Sequence, residues 1–578
     1  MQLNDLVTRR RSGRLVIAAI AATLSAGVAI ASATDGGGDI SPGNLLISRS
    51  VYAAPSLTAG STGVTGTQLP PGCTDGACAP ANTGSTYPQV FNNDLADGHF
   101  GITSPIYLDQ VDPDSGHLIN TIPVPTSDVV TSFSSKSELA LNLSTNGDFV
   151  SFMGYAAPPA TLDVSNANTP GEIDPSNPDL GPWYRVVTTL GSDGQFHYTE
   201  TNAYTGDNGR AAIIADGDPA GGDGADNEDG RGAGTQTPPV AFMAGNAGSG
   251  SGKHQFPGVI EGAGAQALSP SIGPEAFQNP GAPTPVGSFN ITQLSSLGPA
   301  YVAGDKIGKD TNFRGLTISN NVVYYTKGSG GNGVNTVYFI DTTGKACPNG
   351  VGLPAPGAAL PSAPIAYNPA NIPSEGVFPY NMCILTGFPT VLAAATSGVS
   401  YPFGIWFANA NTIYLADEGS GDNTYDATSN TYTVAAADTT SGLQKWVFNP
   451  TSKVWQLVYT LQNGLALGVP YTVAGYPTGD NTGTFGTGLP WAPATDGLRN
   501  ITGRVNRNGT ATIWAVTSTV SGSGDQGADP NKVVAITDPL AATTPGAHEV
   551  FTTTEAAKAA EILRGVSFTP GTESQDKH

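Results

Sequence analysis

Between Asn312 and Asp341 apolar and polar residues alternate in three short runs, RGLTI, VVYYT and NTVYFID, parted by Asn320-Asn321 and by a glycine-rich stretch. Period-two alternation bounded by Asn and Gly predicts an antiparallel meander of three strands. The pattern returns at Pro402–Ser420 with SGLQKWVF behind it, and at Leu498–Ser518 with NKVVAITD behind it. Each copy opens beside Arg or Gly, turns on Asn, and ends its second strand in a small or acidic loop. One meander cannot cover both of its own faces, so the copies must stack on each other.

Repeats of this size and strand content predict the blades of a β-propeller, an all-β fold. Asn44 to Tyr52, NLLISRSVY, matches the second strand of a repeat but has no first strand before it. Leu563 to Pro570, LRGVSFTP, matches a first strand, FRGLTISN, and has only a polar tail after it. The C-terminal strand is therefore expected beside the N-terminal one, closing the ring and hiding its sheet edges. Phe100–Val111 and His117–Pro123 complete blade one. Blade two opens at Ser137 with ELALNLSTNGDFVSFMGY, blade three at Asn208 with GRAAIIADG, and blades four, five and six at Asn312, Pro402 and Leu498. A seventh blade would have to hide in 250–300 or 465–495. Ala, Glu, Lys and Leu in Glu555–Leu563 predict a helical interruption before the closing strand.

The repeats resemble those of secreted bacterial six-bladed propellers over nearly the whole chain, blade by blade and without the motif of one family. The resemblance implies the fold and no substrate.

Met1–Ala33 has a basic start (Arg9, Arg10, Arg11, Arg14), an apolar run Leu15–Ile30 and a small Ala31-Ser32-Ala33 end, which predicts a signal peptide and export to the periplasm or beyond. The paired arginines resemble a twin-arginine signal but lack the aromatic residue after them, so the ordinary secretory route and an uncleaved anchor stay open. Residues 34–43 read as a flexible lead-in, 44–570 as one domain, and 571–578 as a disordered tail. Nothing after the leader is apolar for long enough to span a bilayer. Without Met1–Ala33 the chain carries 20 basic against 45 acidic residues, a net charge of −25 in place of −22. That charge argues against nucleic acid as a partner. Four cysteines suit an oxidising compartment; Cys73 with Cys78 and Cys347 with Cys383 is the expected pairing, two others being open. The second pair would clip the Pro-rich loop 347–383.

Aligned blade starts share a cation: Lys136, Arg210, Arg314, Arg499 and Arg564, with Pro402-Phe403 in blade five. First strands line a propeller's channel, so these side chains would gather at one mouth and grip a carboxylate, phosphate or sulfate. The competing reading is that they staple neighbouring blades. Arg49, Lys327, Asp417 and Glu418 fall late in second strands, near the same face. The insert 216–232 spaces Asp216, Asp218, Asp223, Asp226 and Asp229 among glycines, hard oxygen ligands on a loop that suits calcium, though not with EF-hand spacing; a solvated acidic loop is the alternative. GSGSGKH at 248–254 fails as a phosphate loop because its glycines are misplaced and His254 stands where Ser or Thr is needed. The six histidines are scattered, and no G-x-S-x-G elbow occurs. The chain thus reads as a binding or scaffold propeller for a small anionic or carbohydrate-like ligand at the channel mouth. The alternative is a calcium-assisted hydrolase of phosphate or ester bonds on the same site.

Overall fold

The inner strands of six blades stand side by side around one channel. A computed structural model describes residues 39–573 except 54–67, 70–78, 81–85, 99, 134–136, 171–181, 217–237, 247–263, 273–277, 279–280, 282–286, 292–311, 329–332, 344, 347–349, 361–379 and 394–397. From blade one to blade six the inner strands are Glu561–Phe568, Asn142–Leu143, Gly209–Ala215, Gly315–Ser319, Pro402–Asn409 and Ala494–Val505. Each is followed outward by three more antiparallel strands, and successive inner strands touch all the way round.

Closure is as expected. Leu45–Val51 lies antiparallel to Glu561–Phe568, Leu45 opposite Phe568 and Val51 opposite Glu561, then passes the ladder outward to Ile106–Val111 and Leu118–Pro123. Blade one therefore takes its innermost strand from the far end of the chain. Alternation along the strands puts an apolar row on each blade face. Leu46, Ile106 and Leu108 meet Leu139, Leu141 and Phe152 between blades one and two. Trp514 and Val516 meet Leu45 and Phe568 between six and one, with the Trp514 and Phe568 rings edge-on at 5.5 Å. Sheets stacked face to face in this way bury both faces of the inner strands and leave outer strands such as Leu118–Pro123 and Thr552–Ala556 largely exposed.

One interface also carries a buried charge. Lys445 of blade five, fully buried, pairs with Asp538 of blade six at 2.9 Å and donates to the Pro539 carbonyl at 2.6 Å. Asp538 accepts in addition from the hydroxyls of Tyr414 and Tyr459. A buried pair is tolerable when every lone pair and proton finds a partner, as here.

The sequence expectations need three corrections. Glu555–Leu563 is not helical: Thr552–Ala556 is the outer strand of blade six, paired to Lys532–Pro539, and Glu561 already begins the closing strand. Ladder pairing outweighs the helix preference of a short Ala- and Glu-rich run. Phe100–Val111 is not one strand, because Thr103–Ser104 pairs with Thr131–Ser132 and only Ile106–Val111 joins the blade. The Pro-rich excursion ends in a strand, Tyr380–Leu385, the outermost of blade four. The six-blade reading stands: the described residues of 250–300 include the third and fourth strands of blade three, Ala265–Leu268 and Gly287–Ile291. Blades three and four are moreover fused at their rims, Gly287–Ile291 running parallel to Tyr380–Leu385.

Candidate anion site at the channel axis

Ala211, Gly315 and Gly565 follow three of the aligned arginines, Gly404 holds the same place in blade five, and their small size sets how closely the inner strands approach. A Cβ on Gly315 would collide with the Phe403 carbonyl oxygen, one on Gly404 with that of Arg499, and one on Gly565 with that of Leu139. Ala211 bridges Ala140 of the preceding blade. Asn500 takes this place in blade six and uses its amide as a tie, accepting from the Val566 N–H at 2.7 Å. Backbones in near contact leave no room for a side chain at these positions. The Ala140–Ala211 bridge also puts Leu139 level with Arg210, three positions on from Lys136, which lies outside the described residues.

Four of the five predicted cations are thereby brought together. Arg210, Arg314, Arg499 and Arg564 are close enough to oppose one another's charge pairwise, Arg210 against Arg314, Arg314 against Arg499, and Arg499 against Arg564. Glu418 sits between two of them, with Arg314 Nε at 3.5 Å and Arg499 Nε at 3.2 Å. Arg314 Nη1 donates to Ser137 Oγ at 2.6 Å. Arg210 donates to the Phe313 carbonyl at 2.8 Å and to the Asn312 side chain, and Arg564 Nη2 to the Gly527 carbonyl at 3.2 Å. These bonds join blade to blade, so part of the set staples the ring.

The rest is unspent. Arg564 Nε and Nη1 and Arg210 Nε are buried and have no hydrogen-bond partner among the described residues. Burial, followed by the neighbouring guanidinium, pushes Arg210 and Arg564 down to about 9. A cation held this way is destabilised until an anion joins it.

Glu138 is a carboxylate that alignment of the cations overlooks. It is buried and accepts from Thr131 Oγ1 at 2.9 Å, from the Ser132 N–H at 3.0 Å and from the Tyr155 hydroxyl. Burial pushes it up, while Arg564 pulls it down. Its position two residues after Lys136 was the available signal. Asp496, also overlooked, accepts from the Gly421 N–H at 2.7 Å through one oxygen, and burial pushes it up to about 7. Its other oxygen has no partner among the described residues.

Other candidates are engaged away from the axis. Arg49 pairs with Asp109 at 2.6 Å and Glu561 at 2.9 Å within blade one. Lys327 is fully buried and bonds Asn335 at 3.3 Å. Asp417 accepts from Ser400, the Tyr401 N–H and the Gly419 N–H, and burial pushes it up to about 6. Asp216 bonds the Asn146 N–H at 3.1 Å. Asp218, Asp223, Asp226 and Asp229 lie outside the described residues, as do Cys73, Cys78 and Cys347; Cys383 is buried on the outermost strand of blade four.

The other end of the channel has a different character. A cavity of about 160 Å³ there is lined by all six inner strands, with Leu141, Ile213, Ile318, Trp406, Thr502 and Phe568 among its walls. The channel thus gathers arginines at one end, while the other is lined by apolar and polar side chains together, Arg504 and Glu573 among them.

No family model matches the chain, and no curated protein matches it. Among solved structures it is similar to an ulvan lyase, a polysaccharide lyase bound to a GlcA(1-4)Rha3S fragment, at 9% identity and a TM-score of 0.27 over 74% of each chain. It is also similar to PorZ, a surface component of the type-IX secretion system of Porphyromonas gingivalis, at 9% identity and a TM-score of 0.19 over 88% of this chain and 67% of that one. Superposition that loose carries no argument about function.

Proposed function

We propose that the protein is an exported binding propeller that takes a small anionic group, a carboxylate, sulfate or phosphate on a compact or carbohydrate-like carrier, at the arginine end of its channel. The observation that carries this reading is the set of buried guanidinium N–H groups on Arg564 and Arg210 without partners among the described residues. Leaving such donors unmade costs about 1–3 kcal/mol each and more for charged ones. Arg314 and Arg499 add positive field, while Glu418 holds them in place. A bound oxyanion would satisfy the donors and relieve the mutual repulsion of the cations. The basic, apolar and small-residue sequence of Met1–Ala33 supports export.

The test is thermal unfolding of the mature chain at constant ionic strength in chloride, sulfate, phosphate, citrate or galacturonate. At least one oxyanion is expected to raise the Tm in a saturable way, and Arg564→Gln to abolish that rise. Equal Tm values in all five salts would overturn the proposal.

A further inference from the structure

A second recess lies far out on blade two, and its chemistry is opposite to that of the axis. Its outer strand, Phe196–Thr201, projects alternate residues to one face. Phe196 and Tyr198 therefore stand side by side, their rings within 16° of parallel and their centroids 6.2 Å apart. Both are half-buried and backed by the core between blades one and two. They wall a groove of about 780 Å³ whose rim includes Asp128, Glu200, Ser271 and Gln278. That volume lies in the range of small-molecule sites.

We infer that this groove is a binding site for a neutral oligosaccharide. A pyranose presents an apolar C–H face and a girdle of hydroxyls, which calls for a flat aromatic wall beside hydrogen-bond acceptors. The paired rings supply the wall. Asp128 and Glu200 supply acceptors, Glu200 still having capacity while it takes the Gly281 N–H at 2.8 Å. The Tyr198 hydroxyl has no partner among the described residues, so a sugar hydroxyl that reaches it makes a bond that folding leaves unmade. Charge selects against anions, because the lining contains two carboxylates and, among the described residues, neither Lys nor Arg. The groove and the axial arginines are separate features, and neither proposal rests on the other.

The test titrates the mature chain with cellotetraose, xylotetraose, laminaritetraose and mannotetraose, and with trigalacturonate, by calorimetry and saturation-transfer NMR. At least one neutral tetrasaccharide is expected to saturate. Phe196→Ala is expected to weaken it about tenfold or more, and Tyr198→Phe, which keeps the ring and the fold, by about three- to tenfold. Arg564→Gln is expected to leave this affinity unchanged. Absence of saturation by all four neutral sugars, tighter binding of trigalacturonate, or unaltered affinity in both Phe196→Ala and Tyr198→Phe would each overturn the inference.

Discussion

Arg314 in blade four donates to the hydroxyl of Ser137 in blade two at 2.6 Å, reaching past the blade between them. This bond fastens the ring from inside, where sheet pairing does not reach. Hydrogen bonds to charged groups contribute about 1.5–3 kcal/mol. Ser137→Ala is expected to lower unfolding stability by that amount in a urea titration. A change below 0.5 kcal/mol, within the range of an ordinary surface substitution, would mean that Arg314 is held by Glu418 alone.

Glu418 touches two arginines, so its removal leaves two buried cations with a weaker hold. Glu418→Gln is expected to cost about 3–5 kcal/mol. Sulfate is expected to restore part of that loss if the arginines then take up an anion. Denaturant midpoints with and without sulfate measure both effects.

Gly565 and Gly98 offer a matched comparison. A methyl group at 565 would strike the Leu139 carbonyl and the Leu141 N–H, while one at 98 would meet nothing within 4 Å. Gly565→Ala is expected to destabilise by about 1–3 kcal/mol through overpacking, and Gly98→Ala to be neutral. Equal melting temperatures for the two variants would show that the inner strands are free to separate.

Asp496 makes stability depend on pH. Its folded value of about 7 exceeds the ordinary 3.8, so between those limits the folded state retains a proton that the unfolded state has lost. The contribution is full below about pH 4 and disappears as pH rises through 7. Asp496→Asn is expected to flatten the Tm profile across that window and to raise stability at pH 8 by at least about 1 kcal/mol. Asp417, pushed up to about 6, leaves a slope of its own behind, confined to the narrower window between its ordinary 3.8 and about 6. Parallel profiles for the two proteins would refute the assignment.

The Lys445–Asp538 pair separates breaking a buried charge pair from replacing it. Lys445→Met alone is expected to cost about 3–5 kcal/mol, because Asp538 stays buried without its cation. Adding Asp538→Asn is expected to recover about half of that. Calorimetric unfolding of the wild type, of each single variant and of the double variant decides the matter, and strictly additive losses would overturn the expectation.

What the sequence revealed, and what it hid, follows from the range of each interaction. Blade order and ring closure were legible because alternation is local and LRGVSFTP repeats FRGLTISN. The gathering of Arg210, Arg314, Arg499 and Arg564 was legible for the same reason, since a repeated position in a closed ring becomes a shared place. Partners were not. Nothing near Glu418 in sequence indicates that it bridges arginines 104 and 81 residues away, in blades four and six. Glu138 and Asp496 gain their character from burial, which composition does not show. Glu555–Leu563 misled because its preference for helix is genuine but weaker than the ladder offered by Lys532–Pro539.

Because Leu45–Val51 waits for Glu561–Phe568, the first strand among the described residues is among the last to find its inner neighbour. Five blades can condense while synthesis proceeds, but the wheel locks only after more than five hundred residues have followed. Until then the nascent chain exposes a strand edge suited to sticking to other chains.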